Sequence, residues 1–147
     1  MASSKTFLSP EEQEQIIAAI KEAEGKSSGE IKVYFEQNCK TELLDRAVEI
    51  FYKLKMDQTK LKTGILIYIA HVDRVFAIIG DKAINEKVPP NFWDETKMLM
   101  ESYFKEGKYK EGLLKGISLA GQQLHKYFEF IGDDTNEISD DIIISDE

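Results

Sequence analysis

The fold of this chain follows from the segment Gly64-Ile-Leu-Ile-Tyr-Ile-Ala-His-Val-Asp-Arg-Val-Phe-Ala-Ile-Ile-Gly-Asp81. Two uninterrupted apolar runs, residues 65–70 and 75–79, flank a short polar segment. Apolar, β-branched runs of this length are typical of strands buried on both faces. The segment between them is short enough to fold the runs into an antiparallel hairpin. The closing Gly80-Asp81 indicates either a simple turn or a site built where a buried strand reaches the surface.

Helices and strands alternate before this hairpin. Ser9-Pro10-Glu11-Glu12 is a helix start with a capping box, and the helical pattern continues to Glu24. Residues 30–36 alternate between apolar and polar side chains, which predicts a strand with one wetter face. A second helix is predicted from Thr41 to about Asp57, because its apolar residues recur at helical spacing.

Two further helices follow the hairpin. Pro89-Pro90 predicts a loop after Asp81, since these prolines cannot lie inside a helix. The two helices begin near Asn91 and Tyr109. In the last helix three small residues recur every four positions and predict close contact with a neighbouring element: Gly112, Gly116 and Ala120.

The element order α-β-α-β-β-α-α predicts an α/β fold. The strand–helix–strand unit must cross over in the right-handed sense, which makes its two strands parallel, and the hairpin adds an antiparallel strand. We expect a small mixed β-sheet of three to five strands with helices on both faces. A single domain is expected over residues 9–131, between a flexible N-terminus, residues 1–8, and an acidic, disordered tail, residues 132–147.

The composition narrows the class of function. The net charge is −8, but seven of the 27 acidic residues lie in residues 132–147, so the remaining chain is close to neutral and offers no nucleic-acid surface. No apolar run approaches the roughly 20 residues of a membrane span. The absence of a signal peptide and the single cysteine, Cys39, lead us to expect a cytoplasmic protein, which we also expect to be monomeric.

Acidic residues are expected to meet at one edge of the sheet. The topology brings Glu30, at the start of the first strand, towards Asp81, and the exit of the second helix carries Asp57 to the same edge. Asp94 is a fourth candidate. Carboxylate clusters of this kind suit Ca²⁺ or Mg²⁺ rather than zinc. The alternative is that lysines and water neutralise them as ordinary surface acids.

The opposite edge supplies a second group of candidates. Asn38, Asp73 and Arg74 are expected there, beyond the carboxyl ends of the parallel strands, where open α/β sheets usually bind ligands. Two observations argue against a site at this edge. One parallel pair of strands creates no clear switch point, and Asp73 and Arg74 are ordinary hairpin residues. Arg46 and Arg74 are the only arginines, and arginine is the fork-shaped partner of carboxylates and phosphates.

Six segments together resemble the TPM domain family, named for a thylakoid-lumen protein, a photosystem II repair protein and a nematode acetylcholine-receptor modulator. The resemblance covers roughly residues 9–128 and is closest to the short, single-domain bacterial members. Its anchors are Ser27-Ser-Gly-Glu-Ile31, Leu44-Asp-Arg-Ala47, Gly64-Ile-Leu-Ile-Tyr68, Asp73-Arg-Val-Phe-Ala-Ile-Ile-Gly-Asp81, Val88-Pro89 with Phe92-Trp93, and Tyr109-Lys-Glu-Gly-Leu113.

The resemblance implies an α/β sandwich with an acidic pocket for a divalent cation, calcium more than magnesium. In the plant branch this pocket has been linked to acid phosphatase activity. Carried over by position, Glu30 and Asp81 fall on the family's acidic motifs, and Asp57 and Asp94 match them more loosely.

Three functions follow as hypotheses. The first, which we favour, is a cation-binding accessory module without catalysis, because the sequence shows no obvious nucleophile or paired histidine to act as a base. The second is a metal-dependent phosphomonoesterase, in which the cation would polarise a phosphate and activate water. The third is a protein-interaction module whose acidic tail docks a basic partner.

Overall fold

The computed structural model describes residues 8–24, 30–58, 63–89, 91–127 and 143–144, and it confirms an α/β sandwich in which helices flank a mixed sheet. In chain order its elements are α1 (Pro10–Glu24), β1 (Glu30–Glu36), α2 (Leu43–Lys53), a 3₁₀ turn (Met56–Gln58), β2 (Gly64–Ala70), β3 (Val75–Gly80), α3 (Lys82–Lys87), α4 (Asp94–Lys105), α5 (Tyr109–Tyr127) and β4 (Ile143–Ile144).

The sheet has the strand order β3-β2-β1-β4. Strands β1 and β2 are parallel, with Glu30 opposite Gly64. Strands β2 and β3 form the expected antiparallel hairpin, with Ile65 opposite Gly80. The two-residue strand β4 pairs in parallel with β1 on its other side. The crossover rule therefore predicted the directions of β1 and β2 correctly, and the hairpin pattern predicted that of β3.

Two apolar cores fill the space between the sheet and its helices. One face of the sheet packs against α1, α4 and α5, and this core includes Ile20, Met100 and Ile117. The other face packs against α2 through Ile50 and Phe51. All seven residues of β1 are buried, so the expectation of a wetter face was wrong. Helix α2 covers that face and encloses the side chains of Lys32, Tyr34 and Glu36. Leu66 and Tyr68 of β2 lie on the same face.

Local signals explain where the helices begin and how closely they pack. The capping box is confirmed, since the Ser9 amide donates to Glu12 Oε1 and the Glu12 amide donates to Ser9 Oγ. The small-residue stripe also lies where it was predicted, against a neighbouring helix. A Cβ added to Gly112 would come within 2.6 Å of Phe104, and one added to Gly116 would come within 2.5 Å of Met100.

One helix lies where a loop was predicted. Asp81 occupies the N-cap position of α3, and its side chain accepts a hydrogen bond from the Lys82 amide. The Gly80 carbonyl accepts a second bond from the Asn85 side chain, at 2.9 Å. These two bonds hold a six-residue helix that is too short to show an apolar period in the sequence.

The expected terminal segments fall mostly outside the described residues. This applies to residues 1–7 and to residues 132–147, of which only β4 is described. The flexible N-terminus and the disordered tail therefore stay predictions for those residues. Within the described ranges, no helix combines the length and the apolarity that crossing a bilayer requires.

Candidate functional site

Two buried carboxylates flank the start of β2. Glu30 lies opposite Gly64 on one side, and on the other side the Asp81 amide donates to the Gly64 carbonyl at 2.9 Å. The spacing of adjacent strands places the Cα atoms of these two acids about 9–10 Å apart. Glu30 is 5% exposed and Asp81 is 8% exposed. The structure thus brings the two strongest candidates into one row across the sheet, with a glycine between them.

The two oxygens of Asp81 have different surroundings. Oδ1 accepts the hydrogen bond from the Lys82 amide at 2.7 Å, which caps α3. Oδ2 is buried and has no hydrogen-bond partner among the described residues. A buried carboxylate oxygen without a partner is costly, because it has lost its hydration. Asp81 therefore does turn the chain, as the simpler interpretation held, but this structural role uses only one of its oxygens.

The 3₁₀ turn after α2 lies over the row formed by Glu30, Gly64 and Asp81. A Cβ on Gly64 would lie 3.2 Å from the carbonyl oxygen of Met56, so this oxygen lies over the glycine that separates the two acids. Asp57 is the next residue and is partly buried. The sequence prediction that the exit of α2 arrives at this edge is therefore confirmed, and a side chain at Gly64 would require the Met56 carbonyl to shift by a few tenths of an ångström.

Asp94 lies apart from this row. It is exposed and opens α4, which belongs to the helix layer on the other face of the sheet from α2. Over the described ranges, no three or more His, Cys, Asp and Glu side chains come close enough together to hold a metal ion. The four-acid metal site hence stays a prediction. Residues 25–29, which precede Glu30 in the sequence, and residues 59–62 lie outside the described part of the chain.

At the opposite edge, Asn38 and Asp73 do meet. Asn38 Nδ2 donates to Asp73 Oδ1 at 2.9 Å, and the Cys39 amide donates to Asp73 Oδ2 at 2.6 Å. The hydrogen bond from Asn38 lowers the pKa of Asp73 most, and the bond from the Cys39 amide lowers it further. Arg74 takes no part in them; it has a left-handed backbone conformation with φ of 59°. This arrangement locks the hairpin to the loop after β1.

An ion-pair network on this edge was not predicted. Arg46 donates to both carboxylate oxygens of Glu36, at 2.8 and 2.7 Å, and to Glu49 at 2.6 Å. Tyr68 Oη also donates to Glu36. Burial raises the pKa of Glu36, but the hydrogen bonds from Arg46 and Tyr68 outweigh it, so the net pKa is lowered. Burial, and then the bond to Glu36, raises the pKa of Tyr68, which therefore stays protonated.

The rarity of arginine was the available signal for this network. It marked Arg46 as a partner for a carboxylate or a phosphate, but nothing in the sequence connected it with Glu36 on another element. The guanidinium is now occupied by two carboxylates of the chain itself.

Comparisons with known proteins agree with this architecture. The sequence profile of the TPM domain matches residues 2–123. The chain is similar to the BA42 protein from the psychrophilic bacterium Bizionia argentinensis, solved by NMR, with 45% identity and a TM-score of 0.89 over 93% of this chain and 94% of that one. No curated protein matches this chain.

More distant structures show the same fold. The N-terminal domain of a protein from P. gingivalis is 18% identical, with a TM-score of 0.70 over 85% of this chain and 83% of that one. The N-terminal domain of the cg2496 protein from Corynebacterium glutamicum is 13% identical, with a TM-score of 0.65 over 80% of this chain and 74% of that one. The profile match over most of the chain and the likeness to BA42 lead to one conclusion: the chain belongs to the TPM domain family.

Proposed function

We propose that this TPM domain is an accessory module that binds one divalent cation, calcium in preference to magnesium, between Glu30 and Asp81. The observation that carries the proposal is the buried Asp81 Oδ2, which has no hydrogen-bond partner among the described residues and lies across Gly64 from a second buried carboxylate. A cation would offset the desolvation of Asp81 and the repulsion between the two acids.

The oxygen donors around this row favour calcium. Calcium accepts six to eight oxygen ligands in flexible geometry, including backbone carbonyls, whereas magnesium requires a near-ideal octahedron. Besides the two carboxylates, the Met56 carbonyl oxygen lies over Gly64, and Asp57 follows it in the chain. Mixed carboxylate and carbonyl donors are the usual composition of a calcium site. Water would complete the coordination shell.

The positions of the arginines support binding without catalysis. A phosphomonoesterase would need a cation to hold the transferred phosphate beside the metal. Arg46 is engaged by Glu36 and Glu49 at the opposite edge, and Arg74 lies in the hairpin at that same edge. Turnover of a chromogenic phosphomonoester that Asp81→Asn abolishes would instead establish the phosphatase hypothesis.

Titration with CaCl₂, followed by ¹H–¹⁵N NMR, tests the cation proposal. We expect saturable shifts of the amides of Ile31, Ile65 and Lys82, and smaller shifts with MgCl₂. Asp81→Asn should remove the response, since it deletes the charge while asparagine keeps the N-cap of α3.

The matched control is Asp73→Asn, the same change at the opposite edge, where the carboxylate is already bound by Asn38 and Cys39. This variant should respond to calcium as the wild type does. Equal calcium responses in the wild type and Asp81→Asn would contradict the proposal. Asp94→Asn tests the fourth candidate, and we expect it to leave the calcium response intact, since Asp94 is exposed in the other helix layer.

A further inference from the structure

A cleft of about 530 Å³ opens at the hairpin edge, on the side of the molecule away from Glu30 and Asp81. It lies between the β2–β3 hairpin, the C-terminal end of α4 and the start of α5. This volume is within the range of small-molecule sites. The side chains that matter for its chemistry are Ile69, Arg74, Phe76, Phe104, Lys105 and Tyr109.

Aromatic rings form the main wall of the cleft. The ring of Phe76 meets Phe104 edge to face, with centroids 5.1 Å apart, and Phe104 stacks on Tyr109 at 4.9 Å. Ile69, which belongs to the core, closes the floor. Such a wall favours a flat apolar group, because stacked and edge-to-face contacts add to the burial of apolar area. The cleft is therefore suited to an aromatic ring.

One cation at the rim, Arg74, has no ion-pair partner among the residues that the structure describes. Lys105 pairs with Glu101 at 3.1 Å, so their charges offset each other. The guanidinium of Arg74 forms no ion pair or hydrogen bond with any residue in the described ranges. Its chain neighbour Asp73 is turned away, since Asn38 and Cys39 hold both of its oxygens. A guanidinium beside an apolar wall is a bidentate partner for a carboxylate.

The backbone of Arg74 supplies an independent observation. Its φ of 59° is in the left-handed region, where glycine or asparagine is the favoured residue of a hairpin. An arginine here stabilises the turn less than glycine would. Unfavourable backbone conformations of this kind concentrate at binding sites, where the side chain is needed.

From the aromatic wall and the Arg74 guanidinium, which no described residue pairs, we infer that this cleft binds an aromatic group that carries a single carboxylate. The ring lies against Phe76, Phe104 and Tyr109, and the carboxylate pairs with Arg74. This site is separate from the cation row, and its test does not depend on calcium.

A ¹H–¹⁵N NMR titration with 3-phenylpropanoate tests the inference, with neutral 3-phenylpropanamide as the comparison ligand. We expect saturable shifts of the backbone amides of Val75, Gly107 and Tyr109 with 3-phenylpropanoate. The neutral 3-phenylpropanamide should bind more weakly by about tenfold or more. Arg74→Gly should weaken binding of the acid by a similar factor while leaving the urea midpoint unchanged or raised, since glycine suits a positive φ.

Lys55→Gly is the matched control. Lys55 also has a positive φ, of 58°, and is exposed after α2, so this variant makes the same backbone and charge change away from the cleft. It should bind 3-phenylpropanoate as the wild type does. Absence of shifts at the cleft, equal affinity for the acid and the amide, or unchanged affinity in Arg74→Gly would overturn the inference.

A peptide that ends in phenylalanine carries the same ring and carboxylate. Tighter binding of such a peptide than of 3-phenylpropanoate would identify a protein C-terminus as the natural source of this chemistry. Tighter binding of 3-phenylpropanoate would identify a small metabolite. Both results support the site and separate its two sources.

Discussion

The carboxylate of Glu36 is held by three hydrogen bonds from two neighbouring elements. Its side chain is 4% exposed, and it accepts two hydrogen bonds from Arg46 and one from Tyr68. Bidentate pairing of this kind is among the stronger polar interactions in proteins. It joins the end of β1 to α2 and to β2, so it fixes the position of the helix that covers one face of the sheet.

Removing the guanidinium should therefore lower the stability of the protein strongly. We expect Arg46→Met, which keeps the apolar stem, to lower the free energy of unfolding by about 3 kcal/mol, because it leaves Glu36 buried without its counter-charge. Urea unfolding at neutral pH measures this loss. Glu49→Gln removes only the exposed partner and should cost less than about 0.5 kcal/mol. Similar losses in the two variants would show that the buried pair with Glu36 contributes no more to stability than the exposed pair with Glu49.

The same carboxylate predicts a pH dependence. The pKa of Glu36 is lower in the folded state than its ordinary value, so the unfolded chain binds more protons in acid. Its stabilising contribution is therefore complete above the unfolded pKa and is lost as the pH falls through the folded pKa. We expect the stability difference between the wild type and Glu36→Gln to shrink on acidification below about pH 4.5. A difference that stays constant from neutral pH into this range would contradict the assignment.

At the scale of single residues the sequence predicted positions better than partners. It brought Glu30 and Asp81 to one edge and Asn38 and Asp73 to the other, because strand direction alone decides which ends meet. The pairing of Arg46 with Glu36 was missed, since it depends on how far α2 is rotated about its axis. That rotation results from packing and has no local sequence signature.

At the scale of elements, glycines in α5 allow the helices to pack closely. Gly112 and Gly116 face α4, as the four-residue spacing predicted. Gly121 faces α1 instead: a Cβ there would lie 2.7 Å from the Cβ and 3.1 Å from the Cα of Ala23. The four-residue pattern did not include this third glycine. Because Cα and Cβ atoms cannot rotate away, the contact with α1 has the least room to adjust.

Gly121→Ala tests this close approach. Helix propensity alone would make the substitution stabilising by about 1 kcal/mol. We expect it instead to destabilise the protein by about 1–3 kcal/mol, because α1 and α5 must separate. Ser118→Ala, at an exposed position of the same helix, controls for propensity and should change stability by less than about 0.5 kcal/mol. Thermal unfolding measures both, and a stabilised Gly121→Ala would refute the packing argument.

Elements with a clear period were predicted well and short ones were not. Residues 30–36 form β1 as predicted, and the hairpin follows the two apolar runs. Helix α3 was missed because a six-residue helix depends on its cap and on the Asn85 side chain rather than on an apolar stripe. Strand β4 was missed because its residues lie in an acidic tail, and only its pairing with β1 identifies it.

At the scale of the whole molecule, the sheet separates two chemistries. One edge gathers buried carboxylates and a backbone carbonyl, and the other gathers aromatic rings, the paired Arg46, and Arg74, which has no partner among the described residues. The antiparallel hairpin produces this separation, since it returns the chain from Arg74 to Asp81 along the full length of β3. The cation proposal therefore concerns only the edge around Gly64.

A crystal structure determined with millimolar calcium tests that proposal most directly. We predict one calcium ion over Gly64, with Asp81 Oδ2 and a Glu30 carboxylate oxygen both within about 2.3–2.6 Å of it. Calcium bound only at exposed acids, with no ion between Glu30 and Asp81, would contradict it.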